Sequence, residues 1–282
     1  MNVGVSVPLP AYLVDVGAMA RKAEELGFES FWCAEHPFIP VHTESRFPGS
    51  PDGIIPEEYS HFVDPFVALA RASGTTSRIK LATGIVLVPE RHPLVLAKEV
   101  STLDLFSGGR FLFGIGAGWL REETQIMGGD FDHRWTQTRE SVLAMKELWT
   151  KTGAEFHGKY YDFPPVRSYP KPAQKPHPPV ILGGGAKNVL QRVVAWGDGW
   201  LPNRITPDEL RDRRATLDRL AKDAGRDPAA ITISVYGQPA DRDLIRRLID
   251  AGANRVVVRP ATVKTEAEMG AELTRIAEAV LR

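Results

Sequence analysis

From Val3 to Leu281 the chain repeats one pattern: a short β-branched or aromatic run bounded by Gly, Pro or Asn, then a stretch with apolar residues three and four apart. The runs Val3–Val7, Ser30–Cys33, Ile79–Val86, Phe111–Gly116, Val180–Leu182, Gly199–Leu201, Ile231–Val235 and Arg255–Val258 read as strands. Helical spacing falls between and after them, over Val14–Leu26, Val63–Ser73, Leu94–Leu105, Trp135–Trp149, Ala186–Ala195, Pro207–Ala224, Arg242–Ala251 and Glu266–Leu281. Eight such units in 282 residues have the size and period of a closed parallel barrel, and no linker divides the chain in two. The predicted fold is therefore α/β, a single (β/α)8 TIM barrel over residues 1–282 with insertions at its C-terminal face.

Charge balance narrows the function classes. Lys plus Arg and Asp plus Glu both number 35, so the chain offers no basic footprint for nucleic acid. No apolar run reaches membrane-spanning length, and the N-terminus enters a strand without an export-type leader, so a cytoplasmic location is expected. The single cysteine, Cys33, has no internal disulfide partner and reads as a small buried hydrophobe within a strand.

Chemistry in such a barrel sits at the C-terminal strand ends. There the chain places Glu35-His36-Pro37, Gly84-Ile85, Gly116, Gly118 and Trp119, Gly183-Gly184-Gly185, Tyr236-Gly237 and Arg259-Pro260. Few carboxylates and one histidine make a poor metal-ligand set and a better setting for a cofactor that carries its own chemistry, so no metal is expected. His36 is the acid–base candidate; a structural histidine bonded to backbone is the other reading of it. Gly183–Gly185 before a helix reads as a phosphate cradle or as a plain tight turn. In the run Phe111–Trp119, alternating glycines remove the Cβ atoms that would keep a ligand from the backbone. Glu122 and Glu123, one turn later, read on their own as complements to a helix dipole.

Two segments lack the repeat. Pro37–Phe62 is too long for an idle loop, follows the second strand, and is expected to form a substrate-side lid carrying His42, Arg46, Tyr59 and His61. Phe156–Pro179 reads as a hairpin with a proline-rich return, covering the barrel or joining a partner subunit.

The chain resembles the bacterial luciferase-like flavin and deazaflavin oxidoreductases, particularly the coenzyme F420-dependent branch that includes methylenetetrahydromethanopterin reductases. The resemblance rests on Gly4-Val5-Ser6-Val7-Pro8, Ala23-Glu24-Glu25-Leu26-Gly27-Phe28, Glu35-His36, Leu81-Ala82-Thr83-Gly84-Ile85, Leu105-Phe106-Ser107-Gly108-Gly109-Arg110, the glycine run to Glu123, Gly183–Gly185, and Trp196-Gly197-Asp198-Gly199-Trp200. It spans nearly the whole chain.

That resemblance implies a cis peptide at Gly84–Ile85 forming a bulge against the cofactor's central ring, with the cofactor phosphate at Gly183, Gly184 and Gly185. It implies His36 beside the reactive face, Gly116, Gly118 and Glu122 among the cofactor-binding residues, and Glu35, Tyr59 and Trp119 around the substrate. Sugar-phosphate dehydrogenases of this branch carry a glutamate where this chain has Trp119, which argues against that activity and for either an apolar or aromatic substrate face or a wall for the cofactor ring. The implied cofactor is coenzyme F420, giving hydride transfer to or from a small molecule; FMN, giving monooxygenation, is the alternative. A non-flavin phosphate-binding isomerase or aldolase is a further reading. A homodimer and a separate flavin or F420 reductase as redox partner are the implied protein partners.

Overall fold

A computed structural model describes all 282 residues. Its strands are β1 (Val3–Ser6), β2 (Ser30–Cys33), β3 (Lys80–Thr83), β4 (Val86–Leu87), β5 (Phe111–Gly116), β6 (Ala154–His157), β7 (Asp162–Val166), β8 (Val180–Gly183), β9 (Gly199–Leu201), β10 (Thr232–Gln238) and β11 (Arg255–Val258). Every residue of β1, β2, β5, β8, β9 and β11 is buried, as a parallel sheet covered on both faces requires. The strands run in the order β3-β2-β1-β11-β10-β9-β8-β5, and β5 pairs back onto β3 through Leu81 with Phe111 and Ala82 with Leu112. All these pairings are parallel, so the barrel expected from the repeat closes with eight strand positions.

The third position departs from the single strand expected over Ile79–Val86. β3 stops at Thr83, the Gly84–Ile85 peptide is cis, and β4 resumes the pairing with β5 at Val86 opposite Ile115. A Cβ on Gly114 would lie 2.0 Å from the Thr83 carbonyl oxygen, and one on Gly116 would lie 2.1 Å from Ile85 Cδ1. Gly114 therefore admits the backbone of the neighbouring strand rather than a ligand, which corrects the reading of the glycine run there, while Gly116 makes room for the Ile85 side chain.

The helices are α1 (Val16–Leu26), α2 (Pro65–Ser73), α3 (Pro93–Phe106), α4 (Arg121–Ile126), α5 (Arg134–Thr150), α6 (Val189–Trp196), α7 (Pro207–Asp223), α8 (Arg242–Asp250) and α9 (Glu266–Val280). Local chemistry sets their ends. Asp64 caps α2 by accepting from Val67 N–H with Pro65 at the first helical position, and Thr206 and Glu209 form a reciprocal capping box on α7. Gly27, at φ 94°, closes α1 in the left-handed region. α6 begins at Val189, three residues later than the apolar spacing had placed it, which leaves Gly184–Asn188 as an open turn above β8.

Inside the barrel Trp32, Ala82, Leu112, Ile181, Leu201 and Val257 pack together, with Ile85 and Tyr236 resting on them as the floor of the upper mouth. The larger core lies between the strands and the helices. At the opposite end Glu29 bonds Arg255 at 2.5 and 2.6 Å and pairs with Lys80 at 2.9 Å, tying together the starts of β2, β11 and β3. β6 and β7 form the expected antiparallel hairpin, held to α5 where Glu140 accepts the Tyr160 N–H at 2.7 Å. Cys33 is buried, and burial pushes its thiol well above the usual range, as a hydrophobe within the wall requires. No helix is long and apolar enough to cross a membrane.

Candidate active site

The C-terminal strand ends surround a cavity of about 660 Å³, lined from β1 by Ser6, from β2 by Trp32 to His36, from the β3–β4 break by Gly84 and Ile85, and from β8 by Gly183 to Gly185. His36 enters it just past the end of β2. Its Nδ1 lies 2.8 and 3.0 Å from the two carboxylate oxygens of Glu123, which is fully buried in the first turn of α4. On the other side of the ring, the Trp119 indole Nε1–H donates to His36 Nε2 at 3.3 Å. This arrangement puts the ring proton on Nδ1 and leaves Nε2 as the acceptor. Glu123, read from sequence as a helix-dipole complement, is thus the group that orients the only histidine at the site. One signal was available: Glu123 follows Trp119 by four residues, so a helix after the glycine run sets both near the same mouth.

Aromatic rings enclose His36. Its centroid lies 5.5 Å from Tyr59, 5.8 Å from Phe62 and 5.7 Å from Trp119, and Phe47 closes the circuit at 4.9 Å from Tyr59 and 5.5 Å from Trp119. Phe47, Tyr59 and Phe62 all belong to the long segment after β2, which covers the cavity as expected. The residues it brings in are otherwise different: Tyr59 lines the cavity, but His42 and Arg46 are exposed, and His61 is held by the Tyr12 hydroxyl at 2.5 Å. Phe47 and Phe62 were missed because an irregular segment has no periodicity to say which side chains face inward.

The carboxylates divide by what they hold. Glu35 borders the cavity, but Oε2 accepts the Leu87 N–H at 2.7 Å and Oε1 is bound to Arg91, which also reaches Asp64 and Glu99. It anchors the β4 turn and has no oxygen free for a substrate. Glu122, expected among the cofactor residues, lies outside the cavity; Oε1 accepts the N–H groups of Glu44 at 2.6 Å and Ser45 at 3.1 Å and pins the lid to α4. Position explains the correction, since adjacent helical residues point about 100° apart and only Glu123 turns to His36. Behind Glu123, Glu90 is 5% exposed, accepts from the Thr124 hydroxyl at 3.0 Å, and leaves Oε2 without a partner. Burial, then the charge of Glu123, pushes its carboxyl up to about 8.

An anionic, flat cofactor fits the remaining wall. A Cβ on Gly184 or Gly185 would meet nothing within 4 Å, and Gly184 has φ 89°, so the turn above β8 is open backbone facing the cavity. The Gly184 N–H is engaged by Leu201 O at 3.1 Å, so an anion at this turn would be met by the N–H groups from Gly185 onward, two residues after the start of the glycine triplet. Arg192 stacks 4.5 Å over Trp135, itself a cavity residue, and its buried Nη1 has no partner. Gly116 and Gly118 line the same mouth; Gly118, at φ 80°, makes the turn toward α4.

Comparisons with known proteins agree with this fold. The family model for luciferase-like monooxygenases matches residues 3–248. An uncharacterised protein of Mycobacterium tuberculosis is 36% identical over 250 residues, 85% of either chain. The FMNH2-dependent dimethylsulfone monooxygenase of Pseudomonas putida is 33% identical over 171 residues, 60% of this chain and 46% of that one. In fold, the chain matches the coenzyme F420-dependent tetrahydromethanopterin reductase of Methanopyrus kandleri with a TM-score of 0.77 at 18% identity, covering 99% of this chain and 98% of the other.

Proposed function

The chain belongs to the luciferase-like monooxygenase family, and from that premise we propose that it is an oxidoreductase using coenzyme F420 to exchange a hydride with a small organic substrate. The observation that carries this reading is the His36–Glu123 couple, whose histidine lines the same cavity as Gly84 and Ile85. When bound, the deazaflavin supplies a hydride donor or acceptor at carbon, without facile oxygen chemistry. The backbone N–H groups from Gly185 onward would hold its phosphate, and Gly84, Ile85, Gly116 and Gly118 would border its ring. As an alcohol carbon gives up its hydride, His36 Nε2 takes the hydroxyl proton, and Glu123 stabilises the imidazolium that results. In the reverse direction the same imidazolium protonates the oxygen of a carbonyl being reduced. The homodimer and the separate flavin or F420 reductase belong to the same proposal.

A second reading, an FMN-dependent monooxygenase, is favoured by the similarity to the Pseudomonas putida enzyme. The isomerase or aldolase reading would need a free strand-end carboxylate, and Glu35 is held by Arg91 and Leu87. Equilibrium binding of F420 and FMN to the purified protein, followed in parallel by deazaflavin and flavin fluorescence, tests the cofactor. Tight F420 and weak FMN binding is the expected result; the reverse preference would replace hydride transfer by monooxygenation.

A further inference from the structure

The aromatic circuit around His36 is more than a wall, because it defines what can sit against Nε2. Three rings, Tyr59, Phe62 and Trp119, pack against the His36 ring, and Phe47 packs on Tyr59 and Trp119. The charged groups lining the same cavity are engaged or stand at its rim. Glu35 is paired with Arg91, Arg134 donates to the carbonyls of Gly118 and Phe131, and Arg204 donates to those of Pro48 and Gly49 in the lid, while Glu58 and Arg259 are exposed. No cation next to His36 is left to hold a phosphate or sulfonate. Polar groups free to turn toward a substrate there are the Trp119 N–H, the His36 acceptor nitrogen and the Tyr59 hydroxyl, too few for a polyol.

We propose that this aromatic wall takes a neutral, flat aryl ketone and the corresponding secondary alcohol, with the aromatic body in the cavity against Phe47, Tyr59 and Phe62 and the single oxygen beside Trp119 and His36. The two nitrogens that now bond each other at 3.3 Å then serve opposite forms of one substrate. The indole N–H donates to a ketone oxygen, and Nε2 accepts from an alcohol hydroxyl. Aromatic faces and edges supply the remaining contact, favouring ring substrates over aliphatic chains of equal size. This substrate class rests on the hydride-transfer reading of the same site.

The test uses the full chain, alone and saturated with F420 or with FMN, and measures equilibrium dialysis and quenching of tryptophan fluorescence by 2-acetonaphthone, 1-(2-naphthyl)ethanol, 2-decanone and glucose 6-phosphate. The naphthyl pair should bind at least about tenfold tighter than the aliphatic ketone, with glucose 6-phosphate weakest. Phe47→Ala should weaken both naphthyl ligands about 3–10-fold. Trp119→Phe, which keeps a ring and removes the donor, should weaken the ketone about 3–10-fold and leave the alcohol near the unsubstituted value. Thermal unfolding verifies each variant's fold, and Tyr59→Leu replaces Phe47→Ala if the latter does not fold. Equal or tighter binding of 2-decanone or glucose 6-phosphate, or no naphthyl binding in any cofactor state, overturns the proposal. Cofactor fluorescence in the same samples reports separately on the hydride-transfer reading, so FMN preference with an intact naphthyl preference would sink that reading and leave the aromatic-wall assignment standing.

Discussion

The imidazole of His36 and the carboxylate of Glu123, 87 residues apart in sequence, meet at 2.8 Å with the carboxylate fully buried. A buried carboxylate on Nδ1 fixes the ring's orientation and tautomer, and it stabilises positive charge that develops when Nε2 takes a proton. Removing the imidazole and removing its partner should therefore have different signatures. His36→Ala is expected to slow single-turnover hydride transfer by about 10²–10⁴-fold while leaving cofactor affinity unchanged. Glu123→Gln keeps an acceptor for Nδ1–H but removes the charge, so it should slow the same step by less than His36→Ala and shift its pH dependence. Unchanged single-turnover rates in both variants would remove the couple from the mechanism.

The base of the barrel offers a contrasting prediction, because Glu29, Lys80 and Arg255 lie at the N-terminal strand ends, away from the cavity. Burial works against the Glu29 carboxylate, yet the hydrogen bonds and charge of Arg255, with help from Lys80, outweigh it and hold the group at about 2 against an ordinary 4.5. A depressed folded-state value contributes stability that is fully present above about pH 4.5 and is lost as pH falls toward about 2. Glu29→Ala should cost about 3 kcal/mol at neutral pH, chiefly because Arg255 is left buried without its partner, with cofactor binding unchanged. Denaturant unfolding at pH 7 and in acid checks both statements: the gap between variant and unsubstituted chain should narrow in acid.

The alternation of strands and helices was legible because a fully buried parallel strand and an amphipathic helix leave different periods in sequence. Val180–Leu182 and Arg255–Val258 carry that signal without help from the rest of the chain. The cavity lining was legible where a residue sits at a strand end, as His36, Ile85 and Gly183 do, and beyond the strand ends at Tyr59 in the segment after β2. Glu123 was obscured by its neighbour, since Glu122 and Glu123 have the same chemistry and only the local helix phase separates the one that pins the lid from the one that orients His36. Gly114 was misread for a related reason: a missing Cβ looks the same in sequence whether a ligand or a neighbouring strand occupies the space.

Lid anchoring yields a prediction that needs no substrate. Burial opposes the Glu122 carboxylate, but the Ser45 hydroxyl and the N–H groups of Glu44 and Ser45 bring it down to about 2. The anchor is consequently intact at neutral pH and loosens only as pH falls from about 4.5 toward about 2. In Glu122→Ala the amides of Glu44 and Ser45 lose their acceptor and should exchange hydrogen faster, by about tenfold or more, while amides of β5 keep their protection. Hydrogen exchange resolved by NMR or by mass spectrometry of lid peptides is the measurement. Unaltered exchange in the lid would show that Arg204 and the aromatic contacts hold it without Glu122.

Glu90 makes the last prediction, and its sign is opposite to that of Glu29. Its carboxyl is raised to about 8, first by burial and then by the charge of Glu123, so the folded protein favours the neutral acid. A raised carboxyl contributes stability fully present below about 4.5, its ordinary value, which fades as pH climbs through about 8. Glu90→Gln preserves the shape and an acceptor for the Thr124 hydroxyl while removing the titration. Relative to this variant, the unsubstituted chain should lose stability steadily between about pH 5 and pH 8.5, with the slope of one proton per molecule in the middle of that range. Urea unfolding of both proteins at several pH values gives the difference directly. A flat difference would mean that Glu90 is ionised in the fold, and that its unpartnered Oε2 finds compensation from solvent in the crevice beside Pro37 and His92.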